Sequence, residues 1–99
     1  MRSILLATAL LLAACGNPTV IDGKAYSKTC TVASDCVGVF FGDQCSPCGC
    51  ANDAIATTAK VTYDADRSAA IAACGPRPAI ACGPCQDVVL KCTAGACGI

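Results

Sequence analysis

The chain has no histidine, no glutamate and no tryptophan, and only two tyrosines and two phenylalanines among its 99 residues. Without histidine, the Ser-His-Asp and Cys-His nucleophile arrangements are excluded. Without glutamate, acid–base chemistry falls to the aspartates. Asp64 and Asp66 stand two apart on a predicted helix and so point to different faces. Asp22, Asp35, Asp43, Asp53 and Asp87 occur singly beside turns or element ends, where turn chemistry and capping explain them. Runs of one charge are missing too. There is no basic patch interleaved with aromatics, so nothing here recognises nucleic acid. The glycine-rich segments are cysteine loops, with no phosphate-cradling pattern and no requirement for a cofactor. The chain reads as a non-enzyme.

Large apolar side chains are scarce outside the first fifteen residues: Tyr26, Phe40, Phe41, Tyr63, Leu90 and scattered Val and Ile. A domain this small buries only about 60% of its unfolded surface, so its core is marginal by area alone. Cysteine is what the chain has in quantity, with eleven. Ten remain once Cys15 is set aside: Cys30, Cys36, Cys45, Cys48, Cys50, Cys74, Cys82, Cys85, Cys92 and Cys97. An even number in a small exported domain predicts a disulfide framework. Each bridge typically contributes about 2–4 kcal/mol, so five outweigh this core. The possible pairings number on the order of a thousand, and spacing does not choose among them. Cys48 and Cys50 lie too close along the chain to bridge each other comfortably, which predicts different partners for the two.

Cys15 is set aside because of what precedes it. Arg2 gives a short basic start, and Ile4 to Leu12 form an apolar run interrupted only by Thr8. This is the layout of a secretory signal peptide, and the run is too short to span a bilayer. Its end, Leu12-Ala13-Ala14-Cys15, resembles the lipobox of bacterial lipoproteins. The resemblance implies that Cys15 becomes the first mature residue, bearing a diacylglyceryl thioether and an N-linked acyl chain such as palmitate. The partner so implied is a membrane of the cell envelope, reached through the lipid. The mature part has six basic residues (the seven of the chain less Arg2) and seven acidic ones, scattered. With no polybasic segment beside the lipid, two or more acyl chains must hold the membrane alone. Gly16 stands where enterobacterial inner-membrane lipoproteins have Asp, which favours the outer membrane over the inner, with the domain facing the periplasm or the cell surface.

Three segments follow: 1–14 as signal peptide, 15–29 as lipidated N-terminus and tether, and 30–99 as cysteine-rich domain. The tether is polar and punctuated by Asn-Pro and Asp-Gly, with a reach of about 50 Å if extended. Val20, Ile21 and Tyr26 allow part of it to dock on the domain. Val37 to Phe41 predicts a short strand ended by Gly42-Asp43, and Ala54-Ile55-Ala56 a second. A helix capped by Thr57 or Thr58 runs to about Ala73, with a start at Asn52 or Asp53 as the alternative. Val61, Ala65, Ala69 and Ala72 recur at helical spacing as its predicted packing face, with Tyr63, Ala70 and Cys74 on the adjacent stripe. Lys60 and Asp64 form an i,i+4 pair, and Gly75-Pro76 stops the helix. Asp87 to Thr93 alternates apolar and polar, Ala94-Gly95 turns, and Ala96 to Ile99 returns. That predicts a C-terminal β-hairpin with Cys92 on one arm and Cys97 on the other. The fold class is therefore a small disulfide-rich α+β domain, one helix packed on a short antiparallel sheet with a C-terminal hairpin.

Other chemistries compete for the cysteines. Cys82-Gly83-Pro84-Cys85 resembles the thioredoxin active-site motif, which implies a thiol–disulfide oxidoreductase with Cys82 as nucleophile and Cys85 as resolving thiol. Here no helix start follows the motif, and Asp87 opposes a lowered thiol pKa. An all-thiolate metal site would draw on Cys45, Cys48, Cys50, Cys82 and Cys85, but oxidation outcompetes it in an exported chain. A protease inhibitor would present Arg77-Pro78, between Cys74 and Cys82, as its reactive loop.

Past the lipobox, several residues carry a further likeness. They are Cys30, Asp35-Cys36-Val37, Cys45, Cys48, Cys50, Ala54-Ile55, Tyr63, Cys74 and the closing Val89, Cys92, Gly95 and Cys97. Their arrangement resembles a group of uncharacterised small cysteine-rich lipoproteins of myxobacteria. The resemblance implies fold and location, and no activity. The expectation is a lipid-anchored, disulfide-stabilised envelope protein with a binding or structural role.

Overall fold

β-Branched residues either side of Gly38 set the first long strand. In the computed structural model, which describes residues 18–77 and 80–99, β2 (Cys36–Val39) pairs antiparallel with β4 (Asp53–Ala56). Val37 lies opposite Ile55, and Val39 opposite Asp53. Two further two-stranded units flank this pair. β1 (Val20–Ile21) pairs with β3 (Gly42–Asp43), and β5 (Lys91–Thr93) pairs with β6 (Ala96–Gly98). The one α-helix among the described residues, α1 (Lys60–Ala72), follows a 3₁₀ turn over Thr57–Ala59. The predicted α+β architecture, with its C-terminal hairpin, is the one observed.

The main core joins Ile21, Tyr26, Val39, Ile55, Tyr63 and Ala70, with Ile55 wholly enclosed. Tyr26, Phe41 and Tyr63 form an aromatic trio with ring centroids 5.6–6.1 Å apart, two of the three contacts edge-on. That geometry adds attraction beyond the buried area alone. The Tyr63 hydroxyl donates to the Phe40 carbonyl at 2.6 Å and accepts from the Phe40 N–H at 3.1 Å. One side chain thus fastens α1 to the end of β2. A second cluster, Cys30, Cys36, Ala54 and Cys97 with Leu90 and Cys92 beside it, joins the β2–β4 pair to the hairpin.

Four expectations are revised. The inward face of α1 is the stripe of Tyr63 and Ala70, with Cys74 half-buried beyond it, and not the Val61, Ala65, Ala69 and Ala72 stripe. Val61 is 79% exposed, whereas Tyr63 is 3% exposed. Periodicity counts apolar positions, but burial follows area, and one tyrosine outweighs several alanines. The alternative helix start at Asn52 or Asp53 is displaced by β4, whose Asp53 pairs with Val39. Neither threonine caps the helix, because Thr57 and Thr58 sit inside the 3₁₀ turn. Packing also begins before Cys30. Ile21 and Tyr26, the residues of the tether stretch read as able to dock, are core residues, because the core has few other large apolar groups to enclose.

The hairpin strand is shorter than Asp87 to Thr93. Its partner β6 has only three residues, so only Lys91–Thr93 find a ladder. The alternation itself persists, with Val88, Leu90 and Cys92 half-buried and Val89, Lys91 and Thr93 exposed. Ala94 and Gly95, with φ of 51° and 78°, make the two-residue turn. Positive φ at both positions is what a tight hairpin of right-twisted strands requires.

Candidate functional site

Five disulfides organise the domain: Cys30–Cys92, Cys36–Cys97, Cys45–Cys74, Cys48–Cys82 and Cys50–Cys85, with Cα separations of 5.5–6.0 Å. All ten predicted cysteines are used, and Cys48 and Cys50 take different partners as their spacing requires. The first two bridges fasten the hairpin to residues 30 and 36. The other three run side by side between the loop of residues 45–50 and the segment from the end of α1 to Cys85. Cys15 and the proposed lipidation lie outside the described residues.

These pairings bear on the competing chemistries. Cys82 and Cys85 belong to separate bridges, so they form no dithiol pair here, and residues 80–90 contain no helix to depress a thiol pKa. The five cysteines of the all-thiolate reading are likewise divided among three bridges. The sulfurs of Cys30, Cys36 and Cys97 do lie within 4.8 Å of one another. They are there because two bridges pack side by side, and a disulfide sulfur is not the thiolate a metal needs. Arg77 donates through Nη1 to the Gln44 carbonyl at 3.3 Å, so its side chain folds back onto the domain. Pro78, the other half of the inhibitor loop, lies outside the described residues.

The aspartates do structural work. Asp22 accepts from the Lys24 N–H at 2.8 Å and caps the Gly23–Ala25 turn. Asp43 accepts from the Cys45 N–H. The Asp35 carboxylate accepts from Thr31 N–H, Thr31 Oγ1 and Val32 N–H, which together hold it below the usual carboxylate range. At Asp53 burial raises the pKa, but Lys28 Nζ at 2.6 Å and the Ala54 N–H outweigh it, and the net shift is downward. Lys60 pairs with Asp64 as predicted.

A cleft of about 250 Å³ opens between two of the side-by-side bridges and Arg67 of α1. Phe40, Gln44 and Pro47 line it together with the bridges Cys48–Cys82 and Cys50–Cys85. Gln44 is a buried polar side chain, 4% exposed, and its Nε2 donates to the carbonyls of Phe40 and Gly42 at 3.1 Å each. The Phe40 ring presses on Gly49 so closely that a Cβ there would sit 2.7 Å from it. Any side chain at position 49 would force the ring to move. Two guanidinium groups complete the lining, Arg67 from α1 and Arg77 from the segment after it.

No protein-family model, curated protein or solved structure matches the chain.

Sequence reasoning singled out Arg77 only as part of an inhibitor's exposed reactive loop, and it passed over Arg67 and Gln44. A signal for Arg67 was present. Position 67 is spaced with Tyr63, Ala70 and Cys74, so a charge interrupts that stripe of α1, and Arg67 is exposed between the two buried positions. Gln44 had no comparable mark.

Proposed function

We propose that this protein is a lipid-anchored, disulfide-stabilised envelope protein, held to a membrane through Cys15 and acting by binding rather than catalysis. One observation carries the reading: five bridges use ten of the eleven cysteines, all but Cys15. The domain closes its framework without Cys15, and the odd cysteine is the one that ends Leu12-Ala13-Ala14-Cys15. A dense disulfide set belongs to an oxidising compartment outside the cytoplasm. Among the described residues no helix is long and apolar enough to cross a membrane, so a lipid is the anchor the reading requires. Gly16 after the acylated cysteine favours the outer membrane.

The test is metabolic labelling with palmitate in a bacterial host that processes lipoproteins, followed by detergent phase partition. The parent chain takes up label and enters the detergent phase. Cys15→Ser takes up none and partitions into water, with its five bridges retained by mass. Equal labelling of parent and variant, or no labelling of either, would sink the anchored reading.

A further inference from the structure

Two observations at the bridge-lined cleft ask for a partner that the chain does not supply. Arg67 and Arg77 both line it, and neither forms an ion pair among the described residues, whereas Lys28 and Lys60 each hold an aspartate. Arg67 also stands on α1 between the buried Tyr63 and Ala70 but is itself exposed, so its guanidinium is open to solvent where the cleft meets the helix. The chain thus places two permanent charges along a preformed hollow.

The hollow is built for shape as well as charge. The Phe40 ring is fixed against Gly49 and gives the lining an aromatic surface. Gln44 holds both sides of the site together. Its side chain ties down the turn over Phe40 and Gly42, and its carbonyl accepts from Arg77. The bridges Cys48–Cys82 and Cys50–Cys85 prevent the lining from spreading apart. Guanidinium groups pair with carboxylates in a planar, two-point geometry, and a neighbouring ring and disulfides favour an apolar body attached to that carboxylate. We propose that this cleft binds an organic carboxylate carrying a compact apolar group, with Arg67 and Arg77 on the carboxylate and Phe40 against the apolar part. The proposal deepens the binding reading above and rests on it.

Benzoate is the probe that combines both features, benzamide its uncharged counterpart, and inorganic phosphate the anion without an apolar body. The full-length lipidated protein, isotope-labelled in detergent micelles with all bridges intact, is titrated with each and followed by amide and guanidinium NMR signals. Benzoate is expected to shift the Arg67, Arg77 and Gly49 signals to saturation, with benzamide and phosphate each at least about tenfold weaker. Arg67→Gln and Arg77→Gln should each weaken benzoate about tenfold or more, the scale of a lost charge-assisted hydrogen bond, while Lys24→Gln changes nothing. Benzamide or phosphate binding as tightly as benzoate, or full benzoate affinity in the double arginine variant, overturns the proposal. So does the absence of any saturable shift. If that absence is found in protein that carries palmitate at Cys15, the cleft assignment fails and the anchored-protein reading stands. A benzoate site in protein that takes no label gives the reverse result.

Discussion

Tyr26 shows how one residue can be core, hydrogen-bond donor and pH marker together. Its ring stacks on Phe41 and meets Tyr63 edge-on, while its hydroxyl donates to Asp66 Oδ2 at 2.6 Å. Burial first, and then the hydrogen bond and the charge of Asp66, disfavour the phenolate and push the Tyr26 pKa well above the ordinary tyrosine value. A folded-state pKa raised in this way stabilises the fold fully below the unfolded value of about 10. That stabilisation is lost as pH climbs from there towards the folded value. A tyrosinate absorbance titration should therefore contain a late phase well above pH 10, and Tyr26→Phe should remove it. The same substitution should lower stability at neutral pH by about 0.5–1.5 kcal/mol through the lost hydrogen bond. A late phase that survives in Tyr26→Phe would place the protected hydroxyl elsewhere.

Among the elements, α1 is the one whose orientation the sequence pattern misdirects. Its most regular apolar stripe, Val61, Ala65, Ala69 and Ala72, faces outward, and the stripe that packs carries Tyr63 and Ala70, with Cys74 half-buried beyond them. The two faces differ little in apolar count, so the choice falls to volume and covalent ties. Tyr63 locks onto Phe40, and the Cys45–Cys74 bridge draws the C-terminal end of the helix towards the loop of residues 45–50. The same substitution at one position on each stripe separates the two orientations. Ala70→Leu, inserting bulk into a closed contact, should cost about 1–3 kcal/mol in urea unfolding with bridges intact. Ala65→Leu, on the exposed stripe, should stay within about 0.5 kcal/mol. The opposite order of costs would mean that the other stripe packs.

Across the whole molecule, stability is shared between a small core and a covalent framework whose parts differ in access. Cys36 and Cys97 are both buried, and Cys30 is buried beside them, whereas Cys48 and Cys82 are both exposed. Thiol–disulfide exchange requires a thiolate to reach the sulfur, so access orders the reduction. Graded reduction with alkylation and peptide mapping should label Cys48 and Cys82 first, followed by Cys50 and Cys85. Cys36 and Cys97 should be labelled last. Early labelling of Cys36 and Cys97 would show that the hairpin opens before the cleft. The cleft is thus the part of the framework most open to solvent, and the hairpin junction the part most closed.

The sequence by itself determined the material of this protein: too little large apolar surface for a core to suffice alone, and an even cysteine set to supplement it. It also determined the local elements that depend on near neighbours, namely the Val37 strand, the Ala54-Ile55 strand, the Lys60–Asp64 pair and the Ala94-Gly95 turn. Short-range chemistry fixes such features, since the responsible residues lie within a few positions of one another. Which cysteine meets which was decided only in three dimensions, because bridges such as Cys36–Cys97, 61 residues apart in the chain, leave no trace in spacing. The same holds for the inward face of α1. It holds most of all for the cleft, where the local pair Phe40 and Gln44 meets Arg67 and Arg77 only in the folded chain.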